Sequence, residues 1–394
     1  MRQAIPSQAL FALALTLFAP ALCTPAIHPQ FSGQSNSAPP QLPAAQSQSH
    51  QVSSSDAEAD LRAGIDLTRA GRFAEAIPHF LSADGRVSDE STLRFDLAIC
   101  YLGTSQFSEA IRTLSTLKSS GYDNENLESL LAQASIGAGN FDEAMEALKR
   151  AASFAPKSEK LYVFVADACA DHQEYEFGLR VIDLGLEKLP NSARLHYQRG
   201  YFLVLLDHWD PGQVELDRAA SLAPHTEIAF LSLAQKFKFA GNLPEAIRVS
   251  RQAVQEGRAN YLTLAILGDA LIAQGAAPGQ PEFAEAKAAL MKAVEQRPQF
   301  AGAQLSLGSL LLTENQLDSA IQHLETARNL APDNVAVYPR LAAAYRKAGN
   351  KPAAAAALAV LADLNAQLAN KIRTAPGDRK PIMGGGDPVP SSHP

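Results

Sequence analysis

The sequence predicts an all-α protein built as an α-solenoid of about nine repeated helix pairs, because one short pattern recurs at a fixed period. Gly71–Ala76 reads GRFAEA, Gly139–Ala144 reads GNFDEA and Gly241–Ala246 reads GNLPEA. Their alanines lie 68 and 102 residues apart, which is two and three times 34. A fixed period of roughly 20 to 50 residues is typical of repeat architectures, so the spacing indicates the fold class.

The last residue of this pattern can be followed through the chain as an anchor that is alanine or glycine in every copy. Successive anchors are 34 residues apart, except for one step of 40. The longer step is explained by the Gly/Pro-rich segment Ala273–Ala286, because a turn between helices can accommodate extra residues. The anchors are Ala76, Ala110, Ala144, Gly178, Gly212, Ala246, Ala286, Ala320 and Ala354.

Other residue types repeat in phase with the anchors. A bulky apolar residue stands three residues before every anchor but the last, and an apolar residue stands four residues after every anchor except at Ser250. A small residue usually follows seven residues after the anchor. Spacings of three, four and seven place side chains on one face of a helix. Each unit therefore holds two helices, which a glycine separates and a proline often ends.

One such unit cannot bury its apolar face alone, because its surface is too large for its volume. Stacked units share one continuous core. We therefore expect small residues where two helices cross and the bulky residue before each anchor, such as Tyr175 or Trp209, wedged between helices.

The period and the phased positions resemble the tetratricopeptide repeat family. The resemblance implies antiparallel helix pairs in a right-handed superhelix, with a capping helix after the last copy. Four copies lack the closing proline, and the last has Lys351 at the bulky position. The copies are Ala57–Glu90, Ser91–Asn124, Glu125–Ser158, Glu159–Ser192, Ala193–Thr226, Glu227–Asn260, Tyr261–Phe300, Ala301–Asn334 and Val335–Leu368.

The chain ends are predicted to lie outside the solenoid, which spans residues 56–373. Residues 1–21 combine Arg2, an apolar run and small residues before the cleavage point, as a secretory signal peptide does. The run is too short to span a membrane, and an uncleaved anchor or a lipidated Cys23 are the alternatives. Residues 22–55 and 374–394 are rich in small and polar residues and proline, so they are predicted to be disordered.

Composition excludes several classes of protein. The chain is 46% hydrophobic and 19% charged, which is typical of a folded protein. A net charge of −7 argues against a nucleic-acid partner, because phosphate contacts need a surplus of Lys and Arg. Three cysteines do not make a disulfide framework, and Cys100 and Cys169 stand two repeats apart.

No pattern of catalytic or metal-ligating residues stands out. The nine histidines are scattered, and none has a metal-ligand spacing. A nucleophile elbow is missing, and Gly384–Asp387 lacks the lysine of a phosphate loop. We therefore predict no enzyme activity, no cofactor and no metal, with a hydrolase hidden in the groove as a weak alternative.

The family resemblance implies a concave groove lined by the first helix of each copy, through its positions two, five, nine and twelve. Tyrosine provides a large contact area with few rotatable bonds, so two tyrosines among polar residues indicate a peptide grip. The alternative is a solvated helix face with chance aromatics. No copy has the Lys and Asn that the family uses to clamp a C-terminal carboxylate. The predicted partner-binding residues are Lys160, Asp167, Arg194, Tyr197, Tyr201, Gln235 and Lys238.

The same register places four apolar residues at the N-terminal end of the groove, which we call the apolar mouth. They are Leu61, Ile65, Phe95 and Ile99. A contiguous exposed apolar patch indicates a docking or self-association surface.

These observations predict a non-catalytic scaffold that binds protein or peptide partners. With the signal peptide, they predict an exported protein in the periplasm or at the cell surface of a bacterium, without a membrane-spanning segment after cleavage. The alternative is an accessory subunit of an envelope machine for polysaccharide, pilus or secretion assembly.

Overall fold

The computed structural model describes residues 47–374, with side chains described for 56–367 and 369–370. The predicted signal peptide at 1–21, the predicted linker as far as residue 46 and the predicted tail from residue 375 lie outside the described residues. The first helix begins at Ser47, ahead of the expected start of the solenoid at residue 56.

Over residues 47–374 the chain forms eighteen α-helices and no strand, which confirms the predicted all-α class. The helices are α1 (Ser47–Arg69), α2 (Phe73–Ala83), α3 (Glu90–Gly103), α4 (Phe107–Ser119), α5 (Glu125–Gly137), α6 (Phe141–Phe154), α7 (Glu159–Asp171), α8 (Tyr175–Lys188), α9 (Ala193–Leu205), α10 (Trp209–Leu222), α11 (Glu227–Phe239), α12 (Leu243–Gln255), α13 (Tyr261–Ala273), α14 (Pro281–Gln296), α15 (Ala301–Thr313), α16 (Leu317–Leu330), α17 (Val337–Lys347) and α18 (Lys351–Thr374).

The helices pack as consecutive pairs within two compact units, whose described parts are residues 47–307 and 308–374. In the first unit each odd-numbered helix from α1 to α13 packs against the helix that follows it. Successive odd-numbered helices also pack against each other, from α1 with α3 to α11 with α13. These seven helices form one layer, which we call the inner layer. In the second unit α17 packs against both α16 and α18.

The glycine that opens the recurring pattern lies in the turn between paired helices, where the backbone is left-handed. Gly71, Gly139 and Gly241 have φ angles of +72°, +78° and +70°. Only glycine adopts this region without a steric cost from Cβ. Four other copies keep the turn with a different residue, which the sequence pattern did not show. They are Ser105, Gln173, Asp207 and Asn315, with φ between 58° and 67°.

Small residues mark the helix crossings, as predicted. A Cβ atom added to Gly200 on α9 would lie 2.8 Å from the carbonyl oxygen of Gly212 on α10. The anchor Ala144 is fully buried on α6. At these points the two backbones come too close for a larger side chain.

Bulky residues before the anchors wedge between neighbouring pairs. A Cβ atom on Gly103 would lie 2.2 Å from the ring of Phe73, and one on Gly137 would lie 2.4 Å from Phe107. Trp209 is more exposed than predicted, at 39%, but its ring contacts Phe239 of α11 edge-on, with centroids 6.3 Å apart. Its indole nitrogen donates a 2.9 Å hydrogen bond to Asp207 Oδ1, which keeps the polar edge of the ring at the surface.

Regular hydrogen bonds hold successive copies in register. The hydroxyl of Tyr162 donates to the carbonyl oxygen of Pro156 at 3.0 Å. Nε2 of His196, a buried residue, lies 3.1 Å from the carbonyl oxygen of Pro190. The carbonyl oxygen of the proline near the end of one copy thus forms a hydrogen bond with a side chain on the first helix of the next copy.

The row of pairs in residues 47–307 curves back towards its own beginning. Gly71, in the first turn, lies against the side chain of Gln299, which follows α14. Arg297, in the same loop after α14, is close enough to Asp167 of α7 for its charge to act on that carboxyl.

Candidate functional site

The candidate site lies on the inner layer between α7 and α13. Tyr197 and Tyr201 are four residues apart on α9, and their rings stack with centroids 6.2 Å apart and planes inclined by 26°. The prediction that they share one helix face is confirmed. Tyr201 also contacts Phe239 of α11, with ring centroids 5.6 Å apart, so an aromatic cluster joins two neighbouring copies.

The expectation that these tyrosines are exposed is wrong. Tyr197, Tyr201 and Gln235 are each only 5% exposed. The aromatic side chains bury much of their surface against each other. The helical register alone does not reveal this packing. Their role in partner binding stays a prediction.

Tyr197 carries a polar group without a partner. Its hydroxyl is buried and makes no hydrogen bond with any described residue. Burial raises its pKa well above the ordinary value, and the charges of Tyr201, Tyr261 and Asp167 add to the rise. A buried hydroxyl without a hydrogen bond costs free energy, so it is a group that a ligand could satisfy.

Asp167, on α7, is half-buried and faces the same region. Its Oδ1 accepts a 2.6 Å hydrogen bond from Nε2 of Gln198 on α9. Burial nevertheless raises the pKa of the Asp167 carboxyl to about 7, against the opposing effects of that bond and of the charges of Arg194 and Arg297. Removal from water disfavours the charged form more than these partners favour it.

Asp171 is a second carboxylate on the same face of α7, and it was not among the predicted site residues. It is half-buried, and no described residue makes a hydrogen bond or an ion pair with its side chain. Burial raises its pKa to about 9, and the charge of Asp167 adds to the rise. Asp171 is at position thirteen of its copy, and the two preceding copies have Gly103 and Gly137 at that position. The change from glycine to a charged residue was the sequence signal that could have identified Asp171 as a site residue.

The basic side chains of this region are exposed or contact other groups. Arg194 is exposed at the start of α9, and Lys160 is exposed at the start of α7. The guanidinium of Arg297 stands 5.3 Å from the centre of the Tyr261 ring. Lys238 forms an ion pair with Asp269, at 2.8 Å between Nζ and Oδ2. The predicted site residues thus lie on neighbouring helices, but Lys238 is already paired.

The apolar mouth is less exposed than predicted. Leu61 is buried in the core, and Ile65, Phe95 and Ile99 are half-buried and packed against it. Phe95 also contacts the ring of Tyr122, with centroids 6.1 Å apart. These side chains contribute to the packing between the first copies, and their role in docking or self-association stays a prediction.

Metal-ligating side chains and thiols are the other groups that could carry chemistry. Over the described side chains, no cluster of three or more His, Cys, Asp or Glu has the arrangement of a metal site. Cys100 and Cys169 are unbridged and buried, and burial raises the pKa of the Cys100 thiol to about 11. Among the described helices, none is both long and apolar enough to cross a membrane.

Three segments of the chain match family models described as tetratricopeptide repeat. The matches cover residues 67–134, 129–158 and 279–335. Such repeats generally mediate protein–protein interaction, and scaffolds built from them are typically non-catalytic. Among curated proteins, none matches the chain.

Several solved structures resemble the chain. A tetratricopeptide repeat protein from Parabacteroides merdae is 17% identical, with 64% of this chain and 98% of that chain covered and a TM-score of 0.45. The APC/C hetero-tetramer Cut9–Hcn1 is 15% identical, with 82% and 86% covered and a TM-score of 0.41. The human IFIT1 dimer with PPP-AAAA is 18% identical, with 71% and 72% covered and a TM-score of 0.45.

Proposed function

We propose that this chain, which carries tetratricopeptide repeats, is a non-catalytic scaffold that binds an extended segment of a partner protein on its inner layer. The observation that carries the proposal is the set of unsatisfied groups between α7 and α9. The Tyr197 hydroxyl makes no hydrogen bond with a described residue, and the Asp171 carboxyl has no described partner. Groups of this kind reduce stability, and proteins retain them where a ligand makes use of them.

The chemistry around these groups suits a peptide. The amide oxygen of Gln198 has no hydrogen-bond partner among the described residues, so it could accept one from a peptide N–H. The exposed Arg194 lies at the start of α9, where it can contact acidic groups on a partner. The half-buried rings of Tyr175 and Tyr261 provide apolar contact area for side chains.

We also propose that the protein is exported and works in the cell envelope of a bacterium. The support is the order of a basic start, an apolar run and small residues in the first 21 residues. The absence of a Lys/Arg surplus fits a protein partner better than a nucleic acid.

Affinity capture from envelope extracts tests the proposed function. We expect the wild-type protein to retain a defined set of proteins that binds again when purified. Arg194→Glu should reduce this retention about tenfold, because it reverses a charge at the edge of the inner layer. Arg112→Glu, an equally exposed change on α4, is the matched control and should retain the set. Equal retention by both variants would show that the partner binds elsewhere.

A further inference from the structure

We propose that the inner layer recognises a basic side chain, lysine or arginine, of the partner segment through the carboxylates of Asp167 and Asp171. This inference rests on the proposed function and adds the chemistry of the ligand. It concerns a cation on an extended peptide, and not a free metal ion or a C-terminal carboxylate.

The two carboxylates form an acidic pair that makes no direct ion pair with a described residue. Asp167 and Asp171 are four residues apart on α7, so they share one face, where like charges repel. Asp167 accepts a hydrogen bond from Gln198, but neither half-buried carboxylate has a cation in contact, and a cation brought by a ligand would offset the cost of their burial.

Solvent reaches this pair more than it reaches the stacked tyrosines of α9. Asp167 and Asp171 are half-buried, whereas Tyr197 and Tyr201 are buried. The accessible part of this region therefore includes both carboxylates. A long, flexible lysine or arginine side chain can extend its charged end to a partly buried site.

The buried Tyr197 hydroxyl is an independent sign of a ligand. It makes no hydrogen bond with a described residue, and it lies close enough to Asp167 for the carboxylate charge to act on it. An ammonium or guanidinium group has several N–H donors, so it can donate to the hydroxyl and to a carboxylate together. The half-buried ring of Tyr175, which is close enough to Asp171 for its charge to act on it, would add cation–π attraction.

The two described cations that act on these carboxylates are not in contact with them. Arg297 stands over the ring of Tyr261, and Arg194 is exposed at the start of its helix. Both charges act on Asp167 from a distance, and Arg297 acts on Asp171, without an ion pair to either. The groups coupled electrostatically to the two carboxylates are Arg194, Arg297, Tyr175, Tyr197, Tyr261 and Cys169.

Selection of short random peptides against the full protein tests the inference and does not require that the natural partner be identified. Three proteins are compared: the wild type, the double variant Asp167→Asn with Asp171→Asn, and the control Asp142→Asn. Asp142 is an exposed carboxylate in the first turn of α6, so the control removes an acidic charge away from the site. Circular dichroism of each protein establishes that it is folded before the selection.

We expect the wild type and the control to enrich peptides with lysine or arginine at one fixed position. The double variant should lose this preference. For a selected peptide, replacing its basic residue by glutamine should weaken binding to the wild type about tenfold, but binding to the double variant less than about twofold. This cycle isolates the contact between the cation and the carboxylates.

Other outcomes of the selection would contradict the inference. The inference would be overturned if the enriched peptides had no fixed basic residue, or if the double variant preferred the same basic residue as the wild type. The proposed function would remain in place in both cases. A folded wild type that enriches no peptide would overturn both.

Discussion

Gln198 donates a 2.6 Å hydrogen bond from Nε2 to Oδ1 of Asp167, and this bond joins α9 to α7 in the wall of the candidate site. Asp167 is thereby held by a neighbouring copy, whereas Asp171, on the same helix face, has no such partner among the described residues. The inner layer thus contains one positioned carboxylate and one unsatisfied carboxylate, and the second should lower the stability of the protein.

Asp171→Asn should stabilise the protein most at alkaline pH. The folded pKa of Asp171, about 9, lies above its ordinary value of 3.8, so the folded state favours the protonated form. This preference contributes its full stability at pH values below the ordinary pKa, and the contribution is lost as the pH rises towards the pKa of the folded state. The wild type should therefore lose at least about 1.4 kcal/mol relative to the variant between about pH 5 and pH 9.

Urea denaturation of both proteins across this pH range checks the prediction. The difference between their free energies of unfolding should grow steadily with pH. A constant difference would mean that Asp171 is as well solvated in the folded state as in the unfolded chain.

Gln173→Gly should stabilise the turn between α7 and α8. Gln173 has a φ of +61°, which costs a residue with a Cβ atom roughly 1–2 kcal/mol. Glycine removes that cost but adds entropy to the unfolded chain, so a net gain of about 0.5–1 kcal/mol is expected. Gly139→Ala is the reciprocal change at φ +78°, with open space around the new Cβ, and should destabilise by a similar amount. Melting temperatures that shift in the same direction for both variants would refute this explanation.

Ser250→Ala should also increase stability. The Ser250 side chain is fully buried at a position where the other copies have large apolar residues, and its hydroxyl has no hydrogen bond. Removing an unsatisfied buried hydroxyl should gain about 1 kcal/mol. Ser232→Ala is the matched control, because the equally buried Ser232 hydroxyl donates to the carbonyl oxygen of Ile228 at 2.6 Å. Denaturation midpoints should rise for the first variant only.

Ala144→Leu should destabilise the third copy. Ala144 is fully buried at a helix crossing, and a larger side chain there should cost about 1–3 kcal/mol. Because each copy contacts mainly its neighbours, faster hydrogen exchange should be confined to the helices around α6. Ala74→Leu, on the exposed face of α2, controls for bulk alone. The packing explanation fails if the two leucine variants unfold alike.

The repeat period explains why the fold was largely predictable. Ala144 and the other anchors must be small wherever two helices cross, and this requirement is visible in the sequence at every step. The turn was less visible, because Ser105, Gln173, Asp207 and Asn315 adopt the left-handed backbone that the pattern associates with glycine. Trp209 shows that the same register position can also be only partly buried.

The site was only partly predictable. The register correctly placed Tyr197 and Tyr201 on one face, but it could not show that their rings pack against each other and against Phe239. Exposure follows from the curvature of the whole row and not from any one copy. Asp171 was missed because the family positions carried over do not include position thirteen.

Hydrogen–deuterium exchange of the full protein, with and without a partner that binds again when purified, shows which helices a partner covers. We expect slower exchange of backbone amides in α7, α9 and α11 when the partner is bound, with little change in α6, α8 and α10. Protection confined to the even-numbered helices, or no protection with the partner bound, would contradict the claim that the inner layer is the binding surface.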